Sequence, residues 1–176
     1  MIGLALGASR LAAEVTEPML VALYAIPKIT LYPVILLLFG LGISAKIAFG
    51  VLHGIIPVIV FTMAAVRNLK PVLFRAARAM RLTPVQTATT IVVPAALPEI
   101  VSGFRVGFAL TLLGTLIGEM FASQRGIGYL LVKAMETNDT ATVMALAVFL
   151  ITFATVVSML LLALNRGLEH ASAPAR

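Results

Sequence analysis

Four apolar stretches, residues 18–42, 45–66, 99–123 and 141–164, each have the length of about 20 residues that a helix needs to cross the hydrocarbon core of a bilayer. In hydrocarbon every backbone N–H and C=O must find its partner within the protein, so repeated stretches of this kind predict an all-α, polytopic helical bundle embedded in a membrane. Composition agrees. The chain of 176 residues is 61% hydrophobic and only 11% charged, whereas soluble domains carry about 25% charged residues. It has no cysteine and two histidines, His53 and His170, which argues against disulfides, thiolate sites and a histidine-built zinc site. Neither a metal nor a cofactor is expected.

The net charge of +6 is unevenly placed along the chain. Arg10, Arg67, Lys70, Arg75, Arg78, Arg81, Arg166 and Arg176 fall to one side of the predicted spans, and Lys46, Arg125 and Lys133 to the other. The positive-inside bias assigns the first group to the cytoplasm. The basic excess therefore reads as topology, with the lipid bilayer as the surface that it meets and no nucleic acid implied.

Residues 67–98 form the polar exception, a basic loop without a single acid. Pro71 suits a first helical position, and Val72, Leu73, Ala76, Ala77 and Met80 share one helical face while Arg75, Arg78 and Arg81 share the other. Thr83, Pro84 and Gln86 have the spacing of a capping box, so a second short helix is predicted to start there. By periodicity alone this loop also fits an amphipathic connector resting on anionic headgroups.

Inside the predicted spans the polar residues are few enough to be weighed singly. Pro27 and Pro33 interrupt the first span, so Lys28 either lines a pathway beside freed carbonyls or, the favoured reading, snorkels to the interface. In the second span Gly50 and Gly54 predict close helix packing, and His53 reads as a packing residue held by a hydrogen bond. In the third, Gly103, Gly107, Gly114 and Gly118 lie within about 60° on a helical wheel. Arg105 and Glu119 lie on the opposite side, separated by about 21 Å of helix, so each needs its own partner or water. They are candidates for a translocation path or for structural ion pairs. Residues 122–140 read as an external loop made flexible by Gly126 and Gly128, with Asn138, Asp139 or Thr140 capping the last helix.

Arg75-Ala76-Ala77, three residues, Arg81, nine residues and then Ile91-Val92-Val93-Pro94 have the spacing of the EAA loop of permeases from ATP-binding-cassette importers. The segments LPEIVSGFRVGFALTLLGTLIGEMFAS and EPMLVALYAIPKITLYPVILLLFGLG extend the resemblance to the nitrate, sulfonate and taurine branch over almost the whole chain. The resemblance implies a type I importer permease fold, N-terminally truncated, in which residues 1–10 are the remnant of an earlier helix. It also implies a multi-pass protein of the bacterial plasma membrane. Its role would be to form the path for a small solute and to couple to a cytoplasmic ATPase through Arg75, Ala76, Ala77, Arg78, Arg81, Ile91 and Pro94. The implied partners are that ATPase, a second permease copy forming a homodimer, and a periplasmic or extracellular solute-binding protein. Two positions depart from the family pattern: its Glu is Arg75 here and its Gly is Arg81. The first reverses a charge at the docking surface, and the second removes the residue that most easily adopts positive φ at the turn.

The chain has no GxxxxGK[ST] phosphate-binding loop, so ATP hydrolysis is expected in a separate subunit. The alternative function is a secondary transporter or channel in which Lys28, Arg105 and Glu119 form an ion path and the basic loop only sets topology.

Overall fold

The computed structural model describes residues 1–121 and 123–172, without the side chains of 168–172. Every regular element among the described residues is helical: α1 (Ile2–Gly7), α2 (Arg10–Ala25), a 3-10 turn (Lys28–Leu31), α3 (Tyr32–Phe39), α4 (Ile43–Arg67), α5 (Pro71–Ala79), α6 (Pro84–Thr87), a π turn (Ala88–Val92), α7 (Val93–Phe121), α8 (Ile127–Glu136) and α9 (Thr140–Ser172). Three helical runs, Ile43–Arg67, Pro84–Phe121 and Thr140–Gly167, are long and apolar enough to cross a membrane, and the bent pair of α2 with Lys28–Phe39 makes a fourth if it counts as one span. This is the all-α membrane architecture expected of the sequence. Arg176, counted among the basic residues of one side, lies outside the described residues.

The elements that punctuate the chain have local causes. Pro27 adopts an extended ψ of 93° and ends α2, after which the 3-10 turn leads to Pro33 in the first turn of α3. Proline is tolerated at both places because neither needs a helical N–H there. The helix that opens at Thr83 does not stop after a short piece. It continues through α6 and the π turn into α7, a run of 38 residues. Pro94 and Pro98 cannot donate, yet the π turn shifts the register there, and Val93 donates to Ala88 O. Threonine hydroxyls take up neighbouring carbonyls: Thr89 Oγ1 donates to Val85 O at 3.0 Å and Thr90 Oγ1 to Gln86 O at 2.6 Å.

The helices distribute their residues over two compact units. The first contains Met1–Tyr24, Pro57–Arg105 and the chain from Leu161. Ala65, Val66 and Ala96 are its buried centre, with Leu4, Val92 and Ile100 packed around them. Helix α1 belongs to this packing. A Cβ on Gly3 would stand 2.7 Å from Ile59 O, and one on Gly7 2.7 Å from Met63 O, so α1 lies directly against the α4 backbone. A Gly3-x-x-x-Gly7 spacing carries that signal in the sequence. Glu17 of α2 pairs with Arg67 at the end of α4, and Asn165 Nδ2 donates to Ser102 Oγ at 3.2 Å.

The second unit contains Ala25–Ile56 and Val106–Leu160. Tyr32, Ile35, Ala45 and Phe49 form its core, with Leu36, Ala48, Leu52 and Ile117 around them. The Tyr32 and Phe49 rings meet at a centroid distance of 4.7 Å, and Tyr32 Oη donates to Gly118 O at 2.6 Å, which satisfies the phenol within the apolar core.

Candidate functional site

The basic loop is built on α5. Nothing polar caps its start, where Pro71 occupies the first turn, but its end is closed by a full Schellman arrangement. Leu82 N–H donates to Ala77 O and Arg81 N–H to Arg78 O, both at 3.0 Å. Such an ending requires a left-handed residue, and Arg81 supplies it at φ 52°. The capping box then starts the next helix: Gln86 N–H donates to Thr83 Oγ1 at 3.3 Å, and Thr83 N–H donates to Gln86 Oε1 at 2.9 Å. The two helices of the loop are thus separated by a turn that is bonded on both sides.

The face that α5 buries differs from the one its apolar pattern predicts. Ala77 is buried and Leu73 and Phe74 are half-buried, whereas Val72 and Met80 are 55% and 58% exposed. Phe74 decides the rotation, since it is the largest apolar side chain of the helix. It lines a cavity of about 390 Å³ together with Leu4, Val66, Leu82 and Val92. Of the residues assigned to coupling, Arg75, Ala76, Arg78 and Arg81 are exposed and Ala77 is buried. Ile91 is half-buried in the π turn, and exposed Pro94 opens α7. Arg78 Nε donates back to Phe74 O at 3.4 Å.

The glycines of α7 stand where neighbours come close. A Cβ on Gly103 would meet Phe61 Cβ at 2.6 Å, and one on Gly114 would meet the His53 ring at 2.7 Å. Gly107 offers its carbonyl 2.6 Å from where a Cβ on Gly54 would stand, and Gly118 lies beside Tyr32 and Phe49. His53 Nδ1 is 2.9 Å from Phe49 O and its ring meets Phe49 edge-on, so the histidine packs as expected.

Glu119 finds its partners within the chain. Its Oε1 lies 3.6 Å from Lys46 Nζ, with both side chains 15% exposed, and its Oε2 accepts from Gly128 N–H at 3.0 Å. Gly128 is in the first turn of α8, whose N-cap residue Gly126 has no side chain with which to cap. Glu119 of α7 therefore caps α8 from outside, placing a carboxylate at the positive end of the helix. The glycines make that possible. Gly126 holds φ 120°, and a Cβ on it would collide with the Glu119 carboxylate. Lys46 completes the cluster by donating to Arg125 O at 2.7 Å, and Ser123 Oγ donates to the same carbonyl at 2.5 Å. The segment read as a flexible loop thus contains a ten-residue helix with a bonded entrance. The spacing of Ile127, Leu131 and Ala134 signals that helix in the sequence.

Lys28 and Arg105 lie apart from this cluster in the chain. Lys28 opens the 3-10 turn after the α2 break and is half-buried. Arg105 is an exposed residue of α7. Each makes an interaction of its own. Among the described residues, no group of His, Cys, Asp and Glu side chains is placed to hold a metal ion.

The geometry therefore comprises a basic, backbone-locked loop and a run of apolar helices with few charges. Comparison with known proteins places both in a family. The family described as binding-protein-dependent transport system inner membrane component matches residues 1–170. A putative aliphatic sulfonates transport permease protein of Bacillus subtilis is 30% identical over 82% of this chain and 52% of its own length. The taurine transport system permease protein of Escherichia coli is 28% identical over the same shares. A riboflavin transport system permease protein of Chloroflexus aurantiacus is 32% identical over 72% of this chain and 47% of its own. The chain thus spans about half the length of these curated relatives. With a match over nearly its whole length and helices suited to a bilayer, the chain belongs to the inner-membrane permease family of binding-protein-dependent ATP-binding-cassette transport systems, multi-pass proteins of the bacterial plasma membrane.

Proposed function

We propose that the chain is a non-enzymatic permease subunit of an importer, forming the path for a small solute and coupling to a cytoplasmic ATPase through residues 67–98. One observation carries this reading: the exposed basic helix α5 is joined by a doubly bonded turn to a helix that runs without interruption from Pro84 to Phe121. A push on α5 would be transmitted along the axis of a spanning helix, which is what coupling needs. The excess of arginine and lysine in this loop supports a cytoplasmic position for α5, where an ATP-hydrolysing partner would reach it. Of the residues that the resemblance implies for coupling, exposed Arg75, Ala76, Arg78, Arg81 and Pro94 are proposed for that contact, while buried Ala77 and half-buried Ile91 would support it by packing. A second permease copy and an external solute-binding protein complete the system.

Relatives named for sulfonates, taurine and riboflavin support a small organic solute and leave its identity among these chemistries. The alternative of an ion path through Lys28, Arg105 and Glu119 is less well supported, because Glu119 is already committed to Lys46 and to the start of α8. Coexpression with a candidate ATP-hydrolysing subunit tests the proposal. Copurification of that subunit with the chain is the expected result. Uptake driven by an ion gradient, with no ATPase bound, would establish the alternative.

A further inference from the structure

We infer that the partner groove that receives α5 presents a carboxylate to Arg75, and so is acidic where it meets this chain. The inference rests on the docking reading given above and adds the chemistry of the partner surface. On an ideal wheel the side of α5 opposite Leu73, Phe74 and Ala77 is an arc of about 160° that holds Arg78, Pro71, Arg75, Ala79, Val72 and Ala76 in that order. Arg75 and Ala79 are at its centre, and all six are exposed. Ala76 and Ala79 are small enough to let a groove wall come close to the backbone. Val72, Met80 and Val85, 55%, 58% and 72% exposed, offer apolar surface next to them.

A groove that seats this ridge must therefore bury Arg75. A guanidinium removed from water without a counter-ion is strongly disfavoured, whereas a facing carboxylate bonds it through two parallel N–H groups. Residues 67–98 contain no acid, and among the described residues neither Arg75, Arg78 nor Arg81 forms an ion pair with a carboxylate. The turn at Arg81 and the Thr83–Gln86 box hold the backbone between α5 and the next helix, so the end of α5 that carries Arg78 and Arg81 is anchored. Charge complementarity then selects an apolar groove with an Asp or Glu opposite Arg75 and further acids toward Arg78 and Arg81.

The experiment measures binding of the ATP-hydrolysing subunit to the chain in detergent, for the native protein and for Arg75→Glu, Arg75→Lys and Arg78→Glu. Arg75→Glu is expected to weaken binding by about tenfold or more, Arg75→Lys by less, and raising salt to about 500 mM is expected to weaken the native complex. Changing the opposing acid, located by cross-linking, to Arg is expected to restore binding to Arg75→Glu. If the native chain binds no ATPase, the docking reading itself fails. If the ATPase binds Arg75→Glu as tightly as native, or tighter, that reading stands and the acidic groove is overturned. It is equally overturned if Arg75→Glu loses affinity only for vesicles containing phosphatidylglycerol, because the arginines would then serve the membrane surface.

Discussion

Arg81 occupies a position where its side chain is a conformational burden. At φ 52° it closes the end of α5, and a non-glycine residue in the left-handed region costs about 1 kcal/mol or more. Arg81→Gly should stabilise the protein by about 1 kcal/mol, provided that the lost side chain makes no compensating contact, and a thermal melt in detergent would register it. The left-handed turn was legible in the sequence because the resemblance puts a glycine there. The role of Glu119 was not legible in this way. Its partners Lys46, Gly126 and Gly128 lie on other elements, and only the packing of α4 and α8 on α7 brings them together. Glu119→Ala removes an external helix cap and should cost about 1–2 kcal/mol. Glu119→Gln keeps an acceptor for Gly128 N–H and should recover part of that loss. A transport charge would behave differently, since uptake would then fail in Glu119→Gln at full stability.

At the scale of elements, what the sequence conveyed followed from periodicity and local caps. Residues 45–66 and 141–164 each lie within one helix and 99–121 within α7, whereas 18–42 is divided between α2 and α3 by a bend of 81°. The capping box is present as the residues predict. The third apolar stretch begins at residue 99, but its helix begins at Pro84: a π turn and the hydroxyls of Thr89 and Thr90 carry it past Pro94 and Pro98. The rotation of α5 was hidden because periodicity counts apolar positions equally, and the packing of one phenylalanine outweighed two smaller residues. Contact between α4 and α7 is a second property of elements. A Cβ on Gly50 would lie 2.5 Å from Thr115 Oγ1, and one on Gly54 would overlap Thr111 Oγ1 and approach Gly107 O at 2.6 Å. Gly54→Ala should therefore force the helices apart and destabilise the fold by about 1–3 kcal/mol, measurable as a lower melting temperature. At the start of α9, Asp139 accepts from the Thr142 hydroxyl at 2.5 Å and from Thr142 N–H at 3.0 Å. The hydroxyl first, and then the backbone N–H groups, hold its carboxyl below the usual value of 3.8. A carboxyl depressed in the folded state stabilises it above the unfolded pKa, and that contribution is lost as pH falls through the folded value. The stability gap between the native protein and Asp139→Ala should thus be full at neutral pH and shrink under acid, as pH-dependent melting would show.

For the whole molecule, orientation in the bilayer is the property on which the functional reading depends, and the charge distribution makes it testable. Residues 67–98 carry Arg67, Lys70, Arg75, Arg78 and Arg81 without an acid, while the segment between α7 and α9 carries Arg125 and Lys133 together with Glu136 and Asp139. The helix from Pro84 to Phe121 separates the two regions and is long enough to put them on opposite faces. Insertion follows the excess of Lys and Arg in short loops, so the α5 loop should remain cytoplasmic and the α8 segment should cross. A chain without cysteine needs no background substitutions for the measurement. Cysteines placed singly at Arg78 and Arg125, both exposed, should react with a membrane-impermeant maleimide from opposite sides in intact cells and inverted vesicles. Labelling of both from the same side would remove α5 from the reach of a cytoplasmic ATPase or make Pro84–Phe121 a helix that does not span, and either outcome would undo the coupling mechanism. Substituting Arg75, Arg78 and Arg81 together by neutral residues should weaken the orientation signal and give a mixed labelling pattern, because Arg67 and Lys70 would then be the only cations left in the loop.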